Sequence, residues 1–370
     1  MSIVRMKRVA VKSKDKETLA QLKQLKNYHY YADDLGFIPA KKVSLLSEIP
    51  NLSYEVTDPE ISETIQPPVI LHNHFWNKPF EEFVEKHGLP NYFNLDPTFY
   101  LALCFEILFG IMFGDVGQGI LLIIIGLIFM RKKQKAVILT RVGFFSILGG
   151  FLYGSFFGNE EIIPEVMEKF NLSYWRFELL ARNNTENLLL FVMGLGSIMI
   201  LIAILMNIWD LIQDKRKLVA IFDTNGLAGI CLYGSIMALA YGAIFNKGLS
   251  PLAWIIGLSV LLLGIILFLL EPKYLKHDPS VKHAFKHLWN SLIGFASSSM
   301  AFLMVGCFAL AHAALMYVVW YLASLIPSLS ILIIILGNGF VMGLEATEVW
   351  HQCLNLEFKI LQPRLKASSD

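Results

Sequence analysis

The sequence predicts an all-α membrane protein with eight transmembrane helices, the last two long and tilted, after a short α+β cytoplasmic segment. Hydrophobic residues make up 55% of the 370 residues and charged residues 16%, and the mean hydropathy is +0.55. A soluble domain carries about 25% charged residues. The charges are also segregated, because the N-terminal region is polar and the remainder alternates long apolar runs with short charged loops. This distribution is typical of a chain that crosses a membrane several times.

The first 97 residues form the only sizeable polar region. Ile3, Val4, Val9 and Val11 predict a short strand, and three leucines at helical spacing predict a helix over Asp15–Lys26. One strand and one helix are too few to bury a core alone. Prolines recur between residues 39 and 68, so residues 27–70 are expected to form an irregular or extended connector.

Residues 77–97 are expected to lie on the membrane surface as an amphipathic segment. Phe80, Phe83 and Val84 share one helical face, Gly88 can end the helix, and the prolines that follow prevent its continuation. The domains are then a remnant cytoplasmic arm and connector (1–76), this surface segment (77–97), the transmembrane domain (98–361) and a cytoplasmic tail (362–370).

Eight apolar spans are predicted in the transmembrane domain. They cover residues 98–113, 116–130, 136–157, 187–209, 225–246, 251–270, 285–324 and 327–360. Eight spans place the N-terminal arm, the tail and the basic loops 131–135, 214–217 and 271–287 on one side. The loops 159–169, 246–251 and 325–330, which are acidic or poor in Lys and Arg, fall on the other. Both termini are therefore expected in the cytoplasm.

Several classes of site are absent from the sequence. It contains no GxxxxGK[ST] phosphate loop, no GxGxxG after a strand, no HExxH and no GxSxG. The four cysteines lie in or beside apolar spans without metal-ligand spacing. We therefore expect no ATP site, catalytic residue, metal or cofactor in this chain, and no nucleic-acid partner. If the protein works with ATP, another chain hydrolyses it.

Ionisable residues inside spans are expensive to bury and are functional hypotheses by default. The set comprises Glu106, Asp115, Arg141, Asp210, His312, Glu345, Glu348 and His351, with Glu357 near the exit. Asp115, in the turn FGDVGQG with Gly114 and Gly117, is best interpreted as a helix cap at the membrane edge. Glu106 and Arg141 could pair across two helices.

The last span carries a polar stripe. Glu345, Glu348, Gln352 and Asn355 are spaced by three, four and three residues, and His351 lies beside them. Lipid cannot satisfy such a stripe, so it must face protein or water. Two interpretations stay open. The stripe is a seam of interhelical hydrogen bonds, or it is the wall of an aqueous half-channel, joined by His312, in which carboxylates and imidazoles pass protons or bind cations.

Long motifs resemble the membrane subunit of V-type and archaeal-type rotary ATPases, called subunit a in eukaryotes and subunit I in prokaryotes. They are MSIVRMKRV, KPFEEFVEKHGLPNYFNLDPT with FGIMFGDVGQGILL, SMAFLMVGCFALAHAAL and LGNGFVMGLEATEVWHQCLNLEF. The resemblance covers nearly all of residues 77–361. It implies eight spans whose last two helices lie against a rotating ring of small subunits. It also implies a peripheral stalk and an ATP-hydrolysing head as partners.

The sequence departs from this family at two positions. The resemblance implies an arginine on each long helix, facing the ring, but ungapped alignment puts Met304 and Asn355 there, whereas His312 and Glu345 match family positions. No other Lys or Arg occurs between His287 and Lys359. The cytoplasmic arm is also much shorter than the family's, so it is not expected to reach the peripheral stalks in the usual way unless another chain completes it.

Three functions remain open from the sequence. The first is a stator subunit that still moves protons or sodium ions, with a titratable residue in place of the arginine. The second is a bearing or scaffold subunit of a rotary complex that has lost ion coupling, which the double replacement favours. The third, for which no substrate site is evident, is a separate channel or transporter derived from the family.

Overall fold

A computed structural model describes most of the chain. The described residues are 3–12, 21–22, 24–25, 28–32, 35–50, 52–60, 67–171, 179, 184–245, 250–275 and 281–365. The chain divides into two units, Met1–Thr98 and Phe99–Asp370. Most of the helix expected over Asp15–Lys26 lies outside the described residues, as do most of loop 246–251, part of loop 271–287 and the end of the tail.

The first unit contains a four-stranded antiparallel sheet. The strands are β1 (Met6–Val11), β2 (His29–Ala32), β3 (Leu35–Pro39) and β4 (Tyr54–Thr57), in the order β2-β3-β1-β4. The strand expected at the N-terminus is confirmed as β1. Alternate residues of β1 pack with Leu22, Tyr28, Ile38 and Leu46 into one apolar cluster. Burial raises the pKa of the Tyr28 hydroxyl to about 12, because the phenolate would be poorly solvated there.

The prediction of an irregular connector over residues 27–70 was wrong. Three of the four strands and a 3₁₀ helix, Ala40–Glu48, lie in that stretch. The prolines are found where elements end and not inside a disordered run, since Pro39 closes β3 and Pro50 and Pro59 follow the 3₁₀ helix and β4. Proline fixes φ and removes a backbone N–H donor at those positions, so it ends a strand or helix without preventing the sheet from forming.

A helix occupies the predicted amphipathic segment. Helix α1 (Lys78–His87) begins after Asn77 and ends at Gly88, whose φ of 102° is unfavourable for residues with a side chain. The Phe80 and Phe83 rings meet edge to face, with centroids 5.5 Å apart. Glu81 accepts a hydrogen bond from the Asn73 backbone N–H at 2.6 Å. The predicted helix and its stop are confirmed.

The second unit is a bundle of helices. The described helices are α2 (Thr98–Met112), α3 (Val116–Met130), α4 (Val137–Tyr153), α5 (Ile162–Lys169), α6 (Asn184–Gln213), α7 (Lys217–Phe222), α8 (Leu227–Phe245), α9 (Pro251–Tyr274), α10 (Val281–Leu325) and α11 (Ser330–Leu356). A π-helical turn, Glu357–Leu361, and a short helical turn, Gln362–Arg364, extend α11. Eight of these helices coincide with the eight predicted apolar spans.

Six helices in the described part of the chain are long and apolar enough to cross a membrane. The other two apolar helices, α2 and α3, have 15 residues each, or about 22 Å at the usual rise per residue. A bilayer core is about 30 Å thick, so length alone does not establish these two crossings. Helix α10 has 45 residues, about 68 Å, and is far longer than an upright span requires.

Glycines allow three of these helices to approach one another closely. A methyl group at Gly149 in α4 would lie 2.0 Å from the backbone oxygen of Gly110 in α2. One at Gly119 in α3 would lie 2.8 Å from the backbone oxygen of Gly143 in α4. Because backbone cannot move aside as a side chain can, these positions fix the distances among α2, α3 and α4.

Candidate functional site

Helices α10 and α11 bring His312 and Glu345 into direct contact. The two residues are 33 positions apart, on separate helices, and the Nδ1 atom of His312 hydrogen-bonds the Oε2 atom of Glu345. Both side chains are buried. The other ring nitrogen, Nε2, has no hydrogen-bond partner among the described residues. The imidazole therefore has one nitrogen fixed by a carboxylate and one available to a proton or another donor or acceptor.

The predicted polar stripe is split by the packing of α11. Its buried face includes Asn338, Val341, Glu345 and Val349. The side chains of Glu348, His351 and Asn355 lie on the surface of the protein, and that of Gln352 is half-buried. Glu345 therefore faces α10, whereas the rest of the stripe is accessible to lipid, water or another chain. His351 is exposed, whereas His312 is buried.

Both positions of the replaced arginines are exposed. Met304 on α10 has 49% of its surface accessible, and Asn355 lies near the end of α11 with its side chain exposed. The sequence alignment had placed these residues on a surface facing a partner, and their exposure is compatible with that position. Neither side chain carries a charge.

Asn355 and Gln352 line a cavity of about 480 Å³. Its wall also includes Lys359 and Arg364, at the end of α11, and residues of α10 and of the turn before α8. The sequence analysis missed Arg364, because it lies beyond the predicted span. The feature of the sequence that could have identified Arg364 was a basic residue within reach of the polar stripe.

Asp115 caps α3 and also holds the segment after α4. Its Oδ1 accepts from the backbone N–H groups of Gln118 (2.9 Å) and Phe157 (3.0 Å). Its Oδ2 accepts from the Gly158 N–H (2.7 Å) and the Ser155 hydroxyl (2.6 Å). These four donors satisfy both oxygens of a fully buried carboxylate. The interpretation of Asp115 as a helix cap is therefore confirmed, and these hydrogen bonds explain why a carboxylate is buried there.

The two glycines of this turn have a packing role. A methyl group at Gly114 would lie 2.5 Å from the Tyr153 ring, and one at Gly117 would lie 2.4 Å from the Phe157 ring. The segment held by Asp115 in turn contacts the long helices. The Trp320 indole N–H donates to the Phe157 backbone oxygen at 2.8 Å, and the Gln118 amide donates to Asn338 Oδ1 at 3.1 Å. The motif thus connects α3 and α4 to α10 and α11.

Two further buried carboxyl groups lie near α2. Glu106 pairs with Arg141 of α4, with Oε1 to Nε at 2.5 Å and Oε2 to Nη2 at 3.0 Å, which confirms the pairing considered from the sequence. Glu357 is fully buried in the π-helical turn, and neither of its carboxyl oxygens has a hydrogen-bond partner among the described residues.

Comparison with known proteins indicates one family. A model of the V-type ATPase 116 kDa subunit family matches residues 40–187. The A-type ATP synthase subunit I of Saccharolobus solfataricus is 25% identical over 89% of this chain and 58% of its own length. That of Aeropyrum pernix is 26% identical over 72% of this chain and 44% of its own length. The V-type ATP synthase subunit I 2 of Treponema pallidum is 33% identical over 27% of this chain and 24% of its own length. The chain spans about half the length of the first two relatives.

Proposed function

Because the chain is similar to the V-type ATPase 116 kDa subunit family and to A-type ATP synthase subunits I, we propose that it belongs to that family and is the membrane stator subunit of a V/A-type rotary ATPase-like complex. In this proposal α10 and α11 pack against a rotor ring of small membrane subunits and form half-channels for protons or sodium ions. A peripheral stalk and an ATP-hydrolysing head complete the assembly, since this sequence has no phosphate loop.

One observation carries the proposal: the buried contact between His312 and Glu345. An imidazole and a carboxylate inside a membrane are costly unless they pair, and such pairs are typical of ion and proton paths. Histidine and carboxylate side chains together form the proton relays of membrane pumps and transporters. The exposed residues Glu348 and His351 extend titratable groups along α11 toward the cavity at its end.

The arrangement in the membrane is part of the same proposal. All eight apolar helices cross the bilayer, with α10 and α11 tilted, and both termini lie in the cytoplasm of a prokaryotic cell. Residues 1–76 belong to the cytoplasmic arm and connector, residues 77–97 lie on the membrane surface, residues 98–361 span the bilayer and residues 362–370 belong to the tail. Basic loop 131–135, on the cytoplasmic side in this arrangement, supports the orientation.

A second candidate is a bearing or scaffold subunit that has lost ion coupling. It is favoured by the exposed, uncharged Met304 and Asn355 at the positions where the family resemblance implies arginines. A fixed positive charge draws a passing carboxylate into its ionised form by Coulomb attraction in a low dielectric. His312 is a weak substitute, because its charge depends on pH.

Ion flux in vesicles distinguishes the two candidates. The complex is purified, reconstituted and supplied with ATP, and dyes sensitive to pH and to sodium report the interior. The stator proposal predicts ATP-dependent flux that His312→Ala and Glu345→Gln each reduce by about tenfold or more. Thr347→Ala is the control, because this exposed side chain bonds only its own helix at Gly343.

The absence of flux in the wild type would contradict the stator proposal if ATP is still hydrolysed. The double variant Met304→Arg with Asn355→Arg then tests the second candidate directly. Recovery of flux in that variant would assign the loss of coupling to those two positions. Wild-type flux that survives in both His312→Ala and Glu345→Gln would remove the pair from the ion path.

A further inference from the structure

The cavity at the end of α11 has the lining of an anion site. Two cationic residues, Lys359 and Arg364, contribute to its wall. Amides and hydroxyls that can donate hydrogen bonds provide most of the remaining polar surface: Asn225, Gln352, Asn355, Thr224, Ser297 and Ser298. None of the described residues that line it is Asp or Glu. A cavity with donors and cations but no carboxylate attracts an anion and repels a metal ion.

Arg364 is held in place for such a ligand. Its guanidinium carbon lies 4.3 Å from the centroid of the Phe295 ring. Its Nη1 atom donates to Asn225 Oδ1 at 3.1 Å, and the Asn225 amide donates back to the Pro363 backbone oxygen at 3.1 Å. Arg364 forms no ion pair with a carboxylate of the described residues. The guanidinium is thus held by Phe295 and Asn225, with the carboxylate of Asp223 acting on its charge from outside the cavity wall, and Lys359 adds a second cation to the lining.

One end of the cavity is expected at the depth of lipid headgroups. The apolar part of α10, Ala284–Leu325, is centred close to Met304, and Gly294 of the cavity wall precedes Met304 by ten residues. Ten helical residues rise about 15 Å, which is half the thickness of a bilayer core of about 30 Å. With the apolar part of α10 centred in the bilayer, the cavity thus opens at the boundary of the hydrocarbon near Gly294 and extends inward to Ala301, about 5 Å along the helix from Met304.

We propose that this cavity binds the phosphate group of an anionic phospholipid. Arginine matches a phosphate by two parallel N–H···O bonds, and Lys359 adds a second charge. Basic pockets between membrane helices are suited to anionic headgroups. The volume of about 480 Å³ accommodates a phosphodiester with its glycerol. The site lies at the end of α11 toward which the proposed ion path extends, but its binding of a lipid does not require that the protein move ions.

Native mass spectrometry of the purified chain in nonionic detergent tests the proposal. Phosphatidylglycerol is titrated against phosphatidylcholine, and we expect at least about tenfold tighter binding of the former, with Arg364→Gln reducing it about tenfold. Asn355→Asp, which keeps the shape of an exposed side chain but adds a negative charge, should reduce it similarly. Lys132→Gln is the control, since it removes an exposed charge from the loop between α3 and α4.

Each outcome decides the proposal. Equal retention of the two lipids, or unchanged phosphatidylglycerol binding in both cavity variants, would overturn it. If Arg364→Gln fails to fold, Asn355→Asp alone gives the answer. A separate arm adds inorganic phosphate, matched for ionic strength with chloride. Displacement of bound phosphatidylglycerol by phosphate in the millimolar range would assign the cavity to free phosphate and overturn the lipid assignment.

Discussion

Asp115 shows how much one carboxylate can organise. Three of its four donors, the N–H groups of Phe157 and Gly158 and the hydroxyl of Ser155, come from the segment after α4, more than 35 residues away in sequence. The same carboxylate caps α3 through Gln118. The sequence indicated the cap from the position of the residue in a glycine-rich turn. The distant donors depend on where α4 ends, which the turn itself does not encode.

Replacing Asp115 by Asn should destabilise the second unit. The amide nitrogen of Asn would face two hydrogen-bond donors, so at least one buried donor loses its partner, at a cost of roughly 1–3 kcal/mol. Thermal unfolding of the purified chain in detergent measures this loss. Glu168→Gln is the matched control, because this carboxylate is exposed. Equal unfolding temperatures for the two variants would contradict the role assigned to Asp115.

The Glu106–Arg141 pair gives a second prediction for single residues. The Glu106 side chain is 1% exposed and that of Arg141 is 14% exposed. Arg141→Met leaves a buried carboxylate without its cation and should cost roughly 3–5 kcal/mol, whereas Arg141→Met with Glu106→Gln should recover most of that loss. Unfolding of both single variants and the double variant completes a double-mutant cycle. Additive losses would mean that the two charges do not interact.

At the level of elements, glycine spacing determines how α2, α3 and α4 pack. Gly110, Gly119, Gly143 and Gly149 each lie where a neighbouring backbone would meet a methyl group at 2.0 to 2.8 Å. Small residues that permit close backbone approach are characteristic of helix pairs in membranes, where lipid supplies little hydrophobic driving force between helices. These contacts position the Asp115 turn against α10 and α11.

Gly149→Ala is expected to destabilise the bundle by roughly 1–3 kcal/mol, because the new methyl would lie 2.0 Å from a backbone oxygen. Gly343→Ala is the internal control, since no atom lies within 4 Å of its methyl position. Alanine favours helix over glycine by about 0.5–1 kcal/mol, so this variant should be neutral or more stable. The midpoints of unfolding in detergent are compared between the Gly149→Ala and Gly343→Ala variants. A loss in Gly343→Ala as large as in Gly149→Ala would contradict the packing argument.

At the scale of the whole molecule, the proposed orientation of the helices in the membrane can be tested. With the four native cysteines replaced, Lys133→Cys in loop 131–135 should be protected from a membrane-impermeant maleimide in intact cells. Glu165→Cys in α5 should react, because one crossing by α4 separates the two positions. Lysed cells provide the control, since both cysteines should then react. Labelling of Lys133→Cys in intact cells would reverse the proposed orientation.

Much of the bundle could be predicted from the sequence, and less of the site. The eight apolar helices occur where hydropathy places them, because hydrophobicity is a local property that a window of residues carries. The sheet over residues 27–70 was missed, because its strands are short and its prolines suggested irregular structure. Glu345 was identified, but the division of its stripe into a buried and an exposed part depends on which face of α11 packs against α10.

The sequence by itself indicated the family resemblance, the apolar helices, the Asp115 cap and His312 and Glu345 as separate candidate residues. Only the tertiary structure decided that this pair is in contact, that Asp115 gathers donors from after α4, and that Arg364 lines the same cavity as Asn355. The physical reason is the distance along the chain over which each interaction acts. Hydropathy, capping and turn chemistry act between near neighbours in the chain, whereas partners on different helices are selected by packing, which the pattern of one helix does not encode.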